Sequence, residues 1–420
     1  MKLTNPRILI SLIVIGILAG LTGILLSNLL HSIQHLAFSY NTTDHYSFRL
    51  GVDNASGMHR VLVLVLCGTI AGIGWYGIHN YGSGVRDVKD VIVKPEEHMP
   101  IVTTICHAVL QIITVAMGSP LGREAAPREM SIALTSGWFK LTHFDKGLDN
   151  RTIKVMLACA SGAGLTAVYN TPLASTIFIL ETLLLEWSLT YLGAAFLTCS
   201  VATIVIRFGL GDTLQYPLPT LDFSNWLILW AILAGPCIAI GVHAFRKSSA
   251  KLPKINRKSG KMILVSILAF GLIGIMSIYF PEILGNGKPG NQVTFTNAIN
   301  WEYSFGLYMT KWIALLLATI AGAYGGRISP SMMLGSTMCL ILAVIWNQFL
   351  PALPIEVCAV VGAVVFLGLN QNMHLTAIVF LIEMSRFSAS YYFPICICMA
   401  TAIVALKYLE LKVPIHKESV

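Results

Sequence analysis

The segment GSPLGREAAPREM, residues 118–130, places two arginines and two glutamates between long apolar runs. Only 11% of the 420 residues are charged, so this concentration of charge points to chemistry. An ionised carboxylate in apolar surroundings is costly unless a cation or fixed dipoles stabilise it. Glu124, which follows Arg123 directly, is therefore the first candidate for a functional ionisable group.

Two further motifs could offer backbone donors to an anion. YGSGV contains Ser83 and Gly84, and GGRISP contains Arg327 and Ile328. Each motif is glycine-rich, interrupts an apolar run and leads into another, which is the pattern of a broken membrane helix. Such breaks expose N–H groups and the positive end of the helix dipole. The motifs predict an anion-binding site; the alternative is that their glycines only permit close helix packing.

The motifs of the first half recur in the second half in the same order. Gly82 corresponds to Gly285 of LGNGK, Gly122 to Gly326, and Glu181 of PLASTIFILE to Glu383 of HLTAIVFLIE. The paired positions lie 202–204 residues apart. Such a repeat in a helical membrane protein indicates a transporter or channel. We predict a first membrane repeat over residues 1–225, with the GSG and GRE motifs, and a second over residues 226–420, with the GNG and GGRISP motifs.

Long apolar segments must position these motifs. Hydrophobic residues make up 55% of the chain, and continuous apolar runs cover residues 8–30, 61–76, 226–244, 262–279 and 332–346. These runs approach or exceed the roughly 20 residues that a spanning helix needs. They do not alternate, which excludes a membrane barrel. The first run is too long for a signal peptide and lacks a cleavage site, so we predict an all-α polytopic protein that keeps it as a helix.

Charge and cysteine content exclude several other classes. The net charge is +8, and residues 246–261 hold seven Lys or Arg and no acid, which predicts a cytoplasmic loop by the positive-inside rule. The loop lacks interleaved aromatic residues, so no nucleic-acid partner is expected. The nine cysteines are scattered singly apart from Cys396 and Cys398, so neither disulfides nor a metal site is expected. No cofactor is expected either.

The motifs resemble signature segments of the CLC family of chloride channels and chloride/proton antiporters. The family's GSGIP, GREGP and G-x-F-x-P correspond to GSGVR (82–86), GREAAP (122–127) and GGRISP (325–330), and NTPLASTIFILE (170–181) matches a fourth segment. The resemblance implies two inverted halves, about eighteen helices, and a homodimer in the cell membrane with one pore per subunit. It also implies a prokaryotic member without C-terminal regulatory domains.

The resemblance further implies roles for individual residues. Ser83 would donate its hydroxyl to a central anion, and Arg327 and Ile328 would offer backbone N–H groups to the same ion. Glu124 would be the gate, with a carboxylate that occupies an anion position when ionised and leaves it when protonated. The complete set of anion-binding candidates is Ser83, Gly84, Arg123, Arg327 and Ile328. The expected partners are chloride and other small anions, protons, membrane lipid and a second copy of the chain.

The chain also departs from the family pattern. Arg86 and Ala125-Ala126 replace family prolines and glycine, and Ile328 replaces a phenylalanine. Antiporters commonly carry a second, inner glutamate directly after the position of Glu181, where this chain has Thr182. Glu181 and Thr182 are therefore the candidates for an inner proton route. The family's late tyrosine is not evident, because Ile415 or His416 stands near its place, and Arg128 and Glu129 are interpreted as structural.

Chloride/proton antiport gated by Glu124 is the predicted function, and three alternatives stay open. The first is an uncoupled CLC-type chloride channel. The second is a sodium-coupled carrier of organic solutes, since broken-helix repeats also serve such carriers. The third is an intramembrane enzyme, for which the nearest cluster of ligand-type residues is PEEH (95–98); this segment is interpreted as a solvated loop, and the chain has no H-E-x-x-H or G-x-S-x-G motif.

Overall fold

The computed structural model describes residues 1, 3–39, 47–96, 98–212, 214–218, 224–253, 255–386 and 389–414. Within these ranges the chain forms seventeen α-helices, and the strand-like pairing is one isolated bridge between Gly122 and Gly326. Eight of the helices are long and apolar enough to cross a membrane. The prediction of an all-α polytopic fold is confirmed. Ile415, His416 and Glu97 of the PEEH segment lie outside the described residues.

The helices follow one another with short connections. In chain order they are α1 (Pro6–Phe38), α2 (Ser47–Asn54), α3 (Gly57–Tyr81), α4 (Val88–Val93), α5 (Ile101–Ala116), α6 (Ala125–Thr142), α7 (Asn150–Tyr169), α8 (Pro172–Phe178), α9 (Leu189–Leu210), α10 (Trp226–Ala250), α11 (Lys261–Met276), α12 (Lys288–Phe295), α13 (Trp301–Ile320), α14 (Ile328–Phe349), α15 (Ile355–Gln371), α16 (His374–Ser385) and α17 (Tyr392–Lys412). Four of the predicted apolar runs fall within α1, α3, α10 and α14, and the run of residues 262–279 lies in α11 but extends three residues past its end.

The chain divides into two compact units, and neither is a continuous segment. Unit 1 comprises Met1–Ile33, Ile73–Ile113 and Arg123–Gln215. Unit 2 comprises Gln34–Gly72, Thr114–Gly122 and Tyr216–Val420. Unit 2 therefore includes three segments of the first predicted repeat, because Tyr216–Val420 begins before residue 225. The division into repeats at residue 225 rests on the motif offsets alone and stays a prediction.

In unit 1, α7 is the central helix, and small residues let its neighbours approach closely. Its residues from Val155 to Tyr169 are all buried. A Cβ added at Gly164 would lie 2.6 Å from the Pro127 carbonyl oxygen of α6. One added at Gly162 would lie 2.3 Å from the side chain of Ile179. Glycine at 164 therefore lets α7 contact the backbone at the start of α6, and glycine at 162 leaves room for the Ile179 side chain.

In unit 2, close glycine contacts join α14 to α15. A Cβ added at Gly335 would lie 2.1 Å from the carbonyl oxygen of Gly362. This contact leaves no room for any larger side chain at Gly335. The first half of α14, which begins in the GGRISP motif, therefore packs closely against α15.

The basic connection between α10 and α11 is shorter than the predicted loop of residues 246–261. Arg246 lies within α10, and Lys261 is the first residue of α11. The Arg246 guanidinium pairs with Glu410 at 3.0 Å and also donates to the Leu369 carbonyl oxygen. Arg246 therefore ties α10 to α15 and α17 instead of adding to a free basic loop. The cytoplasmic side of this connection stays a prediction.

Candidate functional site

Glu124 lies at the start of α6 and is 1% exposed. It occupies the N-cap position with helical backbone angles, φ −78° and ψ −17°, and its carboxylate does not cap its own helix. The phenol of Tyr169 donates a hydrogen bond to Glu124 Oε2 at 3.1 Å. Tyr169 is the last residue of α7 and is itself 3% exposed. Unit 1 thus holds a buried acid between the beginning of one helix and the end of another.

Arg123 lies beside the same tyrosine. Its Nη2 donates to the Val168 carbonyl oxygen at 3.4 Å, and its guanidinium carbon is 5.9 Å from the centroid of the Tyr169 ring, within cation–π range. Arg123 Nε is buried and has no hydrogen-bond partner among the described residues. Leaving a buried donor unsatisfied costs free energy, so this N–H group is suited to donate a hydrogen bond to an anion.

The GSGVR motif forms an exposed turn between α3 and α4. Gly82 must be glycine, because a Cβ there would lie 2.4 Å from the Ile78 carbonyl oxygen. The Ser83 backbone N–H donates to Thr103 Oγ1 at 3.0 Å. Gly84 adopts φ +88° with open space around it. The predicted helix break is present, and Ser83 and Gly84 are both exposed.

The helix that follows this turn begins later than the motif alone indicates. α4 starts at Val88, and Asp87 is its N-cap. The Asp87 carboxylate accepts from the Lys89 N–H at 2.7 Å. The chain therefore supplies its own anionic group to the amino end of α4. This cap is absent from the predictions made above, although an aspartate directly before an apolar helix is a recognised N-terminal signal.

In unit 2, the LGNGK motif forms a turn with two glycines in the left-handed region, Gly285 at φ +70° and Gly287 at φ +93°. The side chain of Lys311, in α13, is fully buried behind this turn. Lys311 Nζ donates to the carbonyl oxygens of Ile283 at 2.8 Å and Gly285 at 3.1 Å. A lysine of α13 therefore satisfies the carbonyl groups that the break between α11 and α12 leaves unpaired.

The GGRISP motif leads directly into α14. Gly326 pairs with Gly122 through two backbone hydrogen bonds, at 2.6 Å and 2.7 Å. The helix begins at Ile328, which is buried, with Arg327 as its N-cap residue. The Arg327 guanidinium lies 3.5 Å from Thr319 Oγ1. The motif therefore lies at the start of a helix, where the positive end of the helix dipole is located. The role of Arg327 and Ile328 as donors to an anion stays a prediction.

The segment with Glu181 and Thr182 is irregular. α8 continues into a π-helical segment, Ile179–Leu184, that contains both residues. Thr182 Oγ1 is buried and has no hydrogen-bond partner within the described ranges. The corresponding segment of the second half, with Glu383, lies in the regular helix α16. π-Helical turns are frequent at functional sites, and nothing in the sequence analysis indicated this one.

Glu129 and His107 form a second polar cluster inside the protein, and their contact was not predicted from the sequence. His107 Nδ1 lies 2.8 Å from Glu129 Oε2, and Gln111 Nε2 donates to the same oxygen at 2.8 Å. His107 and Gln111 are four residues apart on α5 and so share a helix face, which was the available signal. Arg128 donates from Nε to Ser161 Oγ at 3.1 Å. These contacts tie α6 to α5 and α7, and the interpretation of Arg128 and Glu129 as structural residues stays a prediction.

Comparisons with known proteins agree with the motifs. A family model described as voltage gated chloride channel matches residues 67–407. The relatives include an H(+)/Cl(-) exchange transporter ClcA of Vibrio campbellii, 23% identical over 97% of this chain and 87% of its own. They also include a voltage-gated ClC-type chloride channel ClcB of Salmonella typhimurium, 23% identical over 82% of both chains.

Solved structures share the fold. A slow cyanobacterial Cl-/H+ antiporter superposes with a TM-score of 0.75 at 19% identity, covering 97% of this chain and 95% of the other. A CLC-type fluoride/proton antiporter gives 0.72 at 18% identity, covering 96% and 95%. With eight helices suited to crossing a membrane, the chain is a multi-pass membrane protein, which in a bacterium lies in the plasma membrane. It belongs to the voltage gated chloride channel family, the CLC family.

Proposed function

We propose that this chain moves chloride across the membrane in exchange for protons and that Glu124 is the group that links the two ions. The observation that carries the proposal is a buried, ionisable side chain at the start of α6 with a hydrogen-bond donor at 3.1 Å. Proton exchange requires such a titratable group within the protein. The relatives named as H(+)/Cl(-) exchange transporters, which align over nearly the whole chain, support the same function.

The gating step follows from the similarity between a carboxylate and a chloride ion. Both are anions that accept hydrogen bonds, so the same N–H and O–H donors stabilise either of them. An ionised Glu124 competes with chloride for these donors, whereas a protonated Glu124 does not. The donors that we assign to the transported anion are Ser83, Gly84, Arg123, Arg327 and Ile328. The Nε atom of Arg123 has no hydrogen-bond partner among the described residues, which supports the assignment of Arg123 to these donors.

We also propose that protons reach Glu124 from the inner side past Glu181 and Thr182. The π-helical turn supports this route, because it departs from regular helix geometry at these two residues. The Thr182 hydroxyl does not titrate, but it lacks a hydrogen-bond partner in the described part of the chain and is suited to binding water. We further propose that the protein is a homodimer surrounded by lipid, as its resemblance to the family implies.

An uncoupled chloride channel is the second candidate. The observation that favours it is Thr182, because a non-titrating residue replaces the inner glutamate that antiporters of the family commonly carry. The ClcB relatives named as voltage-gated chloride channels support it as well. An organic-solute carrier and an intramembrane enzyme receive no such support, since the matched family is one of channels and transporters.

The test of the proposal is chloride flux from proteoliposomes as a function of pH, with Glu124→Gln beside the unmodified protein. Glutamine keeps the size of the side chain and removes its charge, so we expect chloride flux to persist and its pH response to disappear. Glu129→Gln is the matched control, since it removes a carboxylate from the same helix at a position outside the proposed path. A pH response that survives Glu124→Gln in a folded protein would contradict the proposal.

A further inference from the structure

We propose that Tyr169 is a positioning residue for the gate, holding the Glu124 carboxylate in its ionised, closed position through its phenol group. The inference rests on the proposed gating role of Glu124. It adds a residue, on a different helix, that sets the pH at which the gate is released.

The contact between the two side chains is direct and sheltered from solvent. Tyr169 Oη is 3.1 Å from Glu124 Oε2, and the two residues are 3% and 1% exposed. A phenol that donates to a carboxylate stabilises the ionised form relative to the protonated form. Because water is largely excluded here, the loss of this donor is not compensated by solvent.

The end of α7 is built to fix the position of Tyr169. The next residue, Asn170, takes the left-handed conformation, φ 58°, and its N–H donates to the Thr166 carbonyl oxygen at 2.7 Å. Its side chain donates to Asp212 Oδ1 at 2.9 Å and accepts from Arg207 Nε at 3.1 Å. Arg207 and Asp212 also pair with each other at 3.3 Å. We call these three residues the α7 clamp.

Other charged groups of unit 1 also act near Glu124, and their interactions do not require the hydroxyl group of Tyr169. Arg123 lies over the ring of Tyr169 at 5.9 Å. Arg128, one turn into α6, interacts electrostatically with Glu124, with Glu129 and with Asp87 at the start of α4. Tyr169→Phe keeps the aromatic ring, its packing and the cation–π contact, and removes only the hydroxyl. The variant therefore isolates the hydrogen bond from the surrounding charges.

The expected effect is a shift in pH dependence. A hydrogen bond to a charged acceptor is strong enough to move a protonation equilibrium by about one to two pH units. Without the phenol, Glu124 takes up its proton more readily, so the gate is released at higher pH. The half-maximal pH of chloride flux in Tyr169→Phe should rise by about that amount, while the maximal flux at acidic pH stays close to that of the unmodified protein.

The experiment measures chloride efflux against pH for the unmodified protein, Tyr169→Phe, Glu124→Gln and the double variant. Tyr191→Phe is the matched control, because Tyr191 is a buried tyrosine of unit 1 on α9, beside Arg151 at the opposite end of α7. Tyr169→Phe should shift the profile, Tyr191→Phe should not, and Tyr169→Phe should have no further effect on pH dependence once Glu124 is glutamine. Size-exclusion chromatography verifies that each variant is folded.

The outcomes separate this inference from the proposed function. If Glu124→Gln abolishes the pH response but Tyr169→Phe leaves the profile unchanged, the role of Tyr169 is overturned and the proposed function stands. If the Glu124→Gln variant itself keeps the pH response, the proposed function is contradicted, whatever the result for Tyr169→Phe. Should Tyr169→Phe not fold, Asn170→Gly provides the second test: glycine keeps the left-handed backbone and loosens the α7 clamp. A smaller shift in the same direction would support the inference, and an unshifted profile would overturn it.

Discussion

At the scale of single residues, the proposed function assigns the response to both protons and chloride to one side chain, that of Glu124. The carboxylate is buried and accepts from Tyr169, and the unsatisfied Nε of Arg123 lies on the adjacent residue. Stabilisation of an ionised group in such surroundings depends on donors and cations, since desolvation opposes the charge. Under the proposed function, we expect removal of a donor to change the pH response and removal of the charge to abolish it.

Ser83 carries a separate prediction about anion preference. Its backbone N–H donates to Thr103 Oγ1, so proline at this position would remove that bond together with the hydroxyl. Ser83→Ala removes the hydroxyl alone. If the hydroxyl donates to the transported anion, the ratio of chloride to nitrate flux should change by roughly tenfold or more, the effect of one hydrogen bond to a charged acceptor. An unchanged flux ratio in liposomes would assign Ser83 to packing of the turn.

Residue identities could be predicted from motifs, but some of their partners could not. Glu124 and Arg327, the N-cap residue of α14, could be identified from short segments with characteristic composition. Tyr169 was missed, because it meets Glu124 only after α7 runs back along α6, and no local pattern encodes that approach. Its one sequence signal is its place directly before the NTPL segment.

At the scale of elements, α7 connects the fold to the site, because its end carries Tyr169 and its middle packs against the start of α6. The sequence predicted the interruptions between helices, since glycine and proline interrupt apolar runs. It did not predict the π-helical turn at Glu181, because tertiary packing, and not local composition, selects that geometry. The Asp87 cap of α4 was readable in principle from its position before an apolar segment.

Close packing of α7 against α6 gives a stability prediction. Gly164→Ala would place a Cβ 2.6 Å from the Pro127 carbonyl oxygen, a backbone atom that cannot easily move. We expect a cost of about 1–3 kcal/mol and a lower melting temperature in detergent. Gly77→Ala is the control, since that helical glycine of α3 has nothing within 4 Å of an added Cβ and alanine is the better helix former. Equal melting temperatures for the two variants would contradict the packing.

The N-cap of α7 gives a prediction about pH. Thr152 donates from Oγ1 to Asp149 Oδ1 at 2.6 Å, and this hydrogen bond holds the pKa of Asp149 below its ordinary value. A lowered pKa in the folded state stabilises the protein above the unfolded pKa of about 3.9, and that stabilisation is lost as the pH falls through the folded value. Asp149→Ala should lower the free energy of unfolding at neutral pH by about 1 kcal/mol, the effect of one cap, and so lower the melting temperature.

Asp149→Asn is the matched variant for this prediction. It keeps a cap acceptor without a titrating group, so it should retain most of the neutral-pH stability and lose the acid-dependent part. A melting temperature that falls equally for Ala and Asn at neutral pH would show that charge, and not the cap, is the important property of Asp149.

At the scale of the whole molecule, the apolar runs and the motif order were sufficient to predict an all-α membrane protein of the CLC family. The compact units were not predictable, because each joins segments that are distant in the sequence. The number of helices expected from the family agrees closely with the seventeen in the described residues. Shorter helices such as α4 and α12 were not predicted from the apolar runs, since both are short and contain polar residues.

The central claim is that this molecule couples chloride to protons through Glu124. The most direct measurement places purified protein in liposomes, imposes a chloride gradient with no initial pH gradient, and records the external pH. We expect chloride movement to drive protons uphill in the unmodified protein, and Glu124→Gln to abolish the proton movement while chloride still passes. Chloride flux without any proton movement in the unmodified protein would contradict the account and identify the molecule as an uncoupled channel.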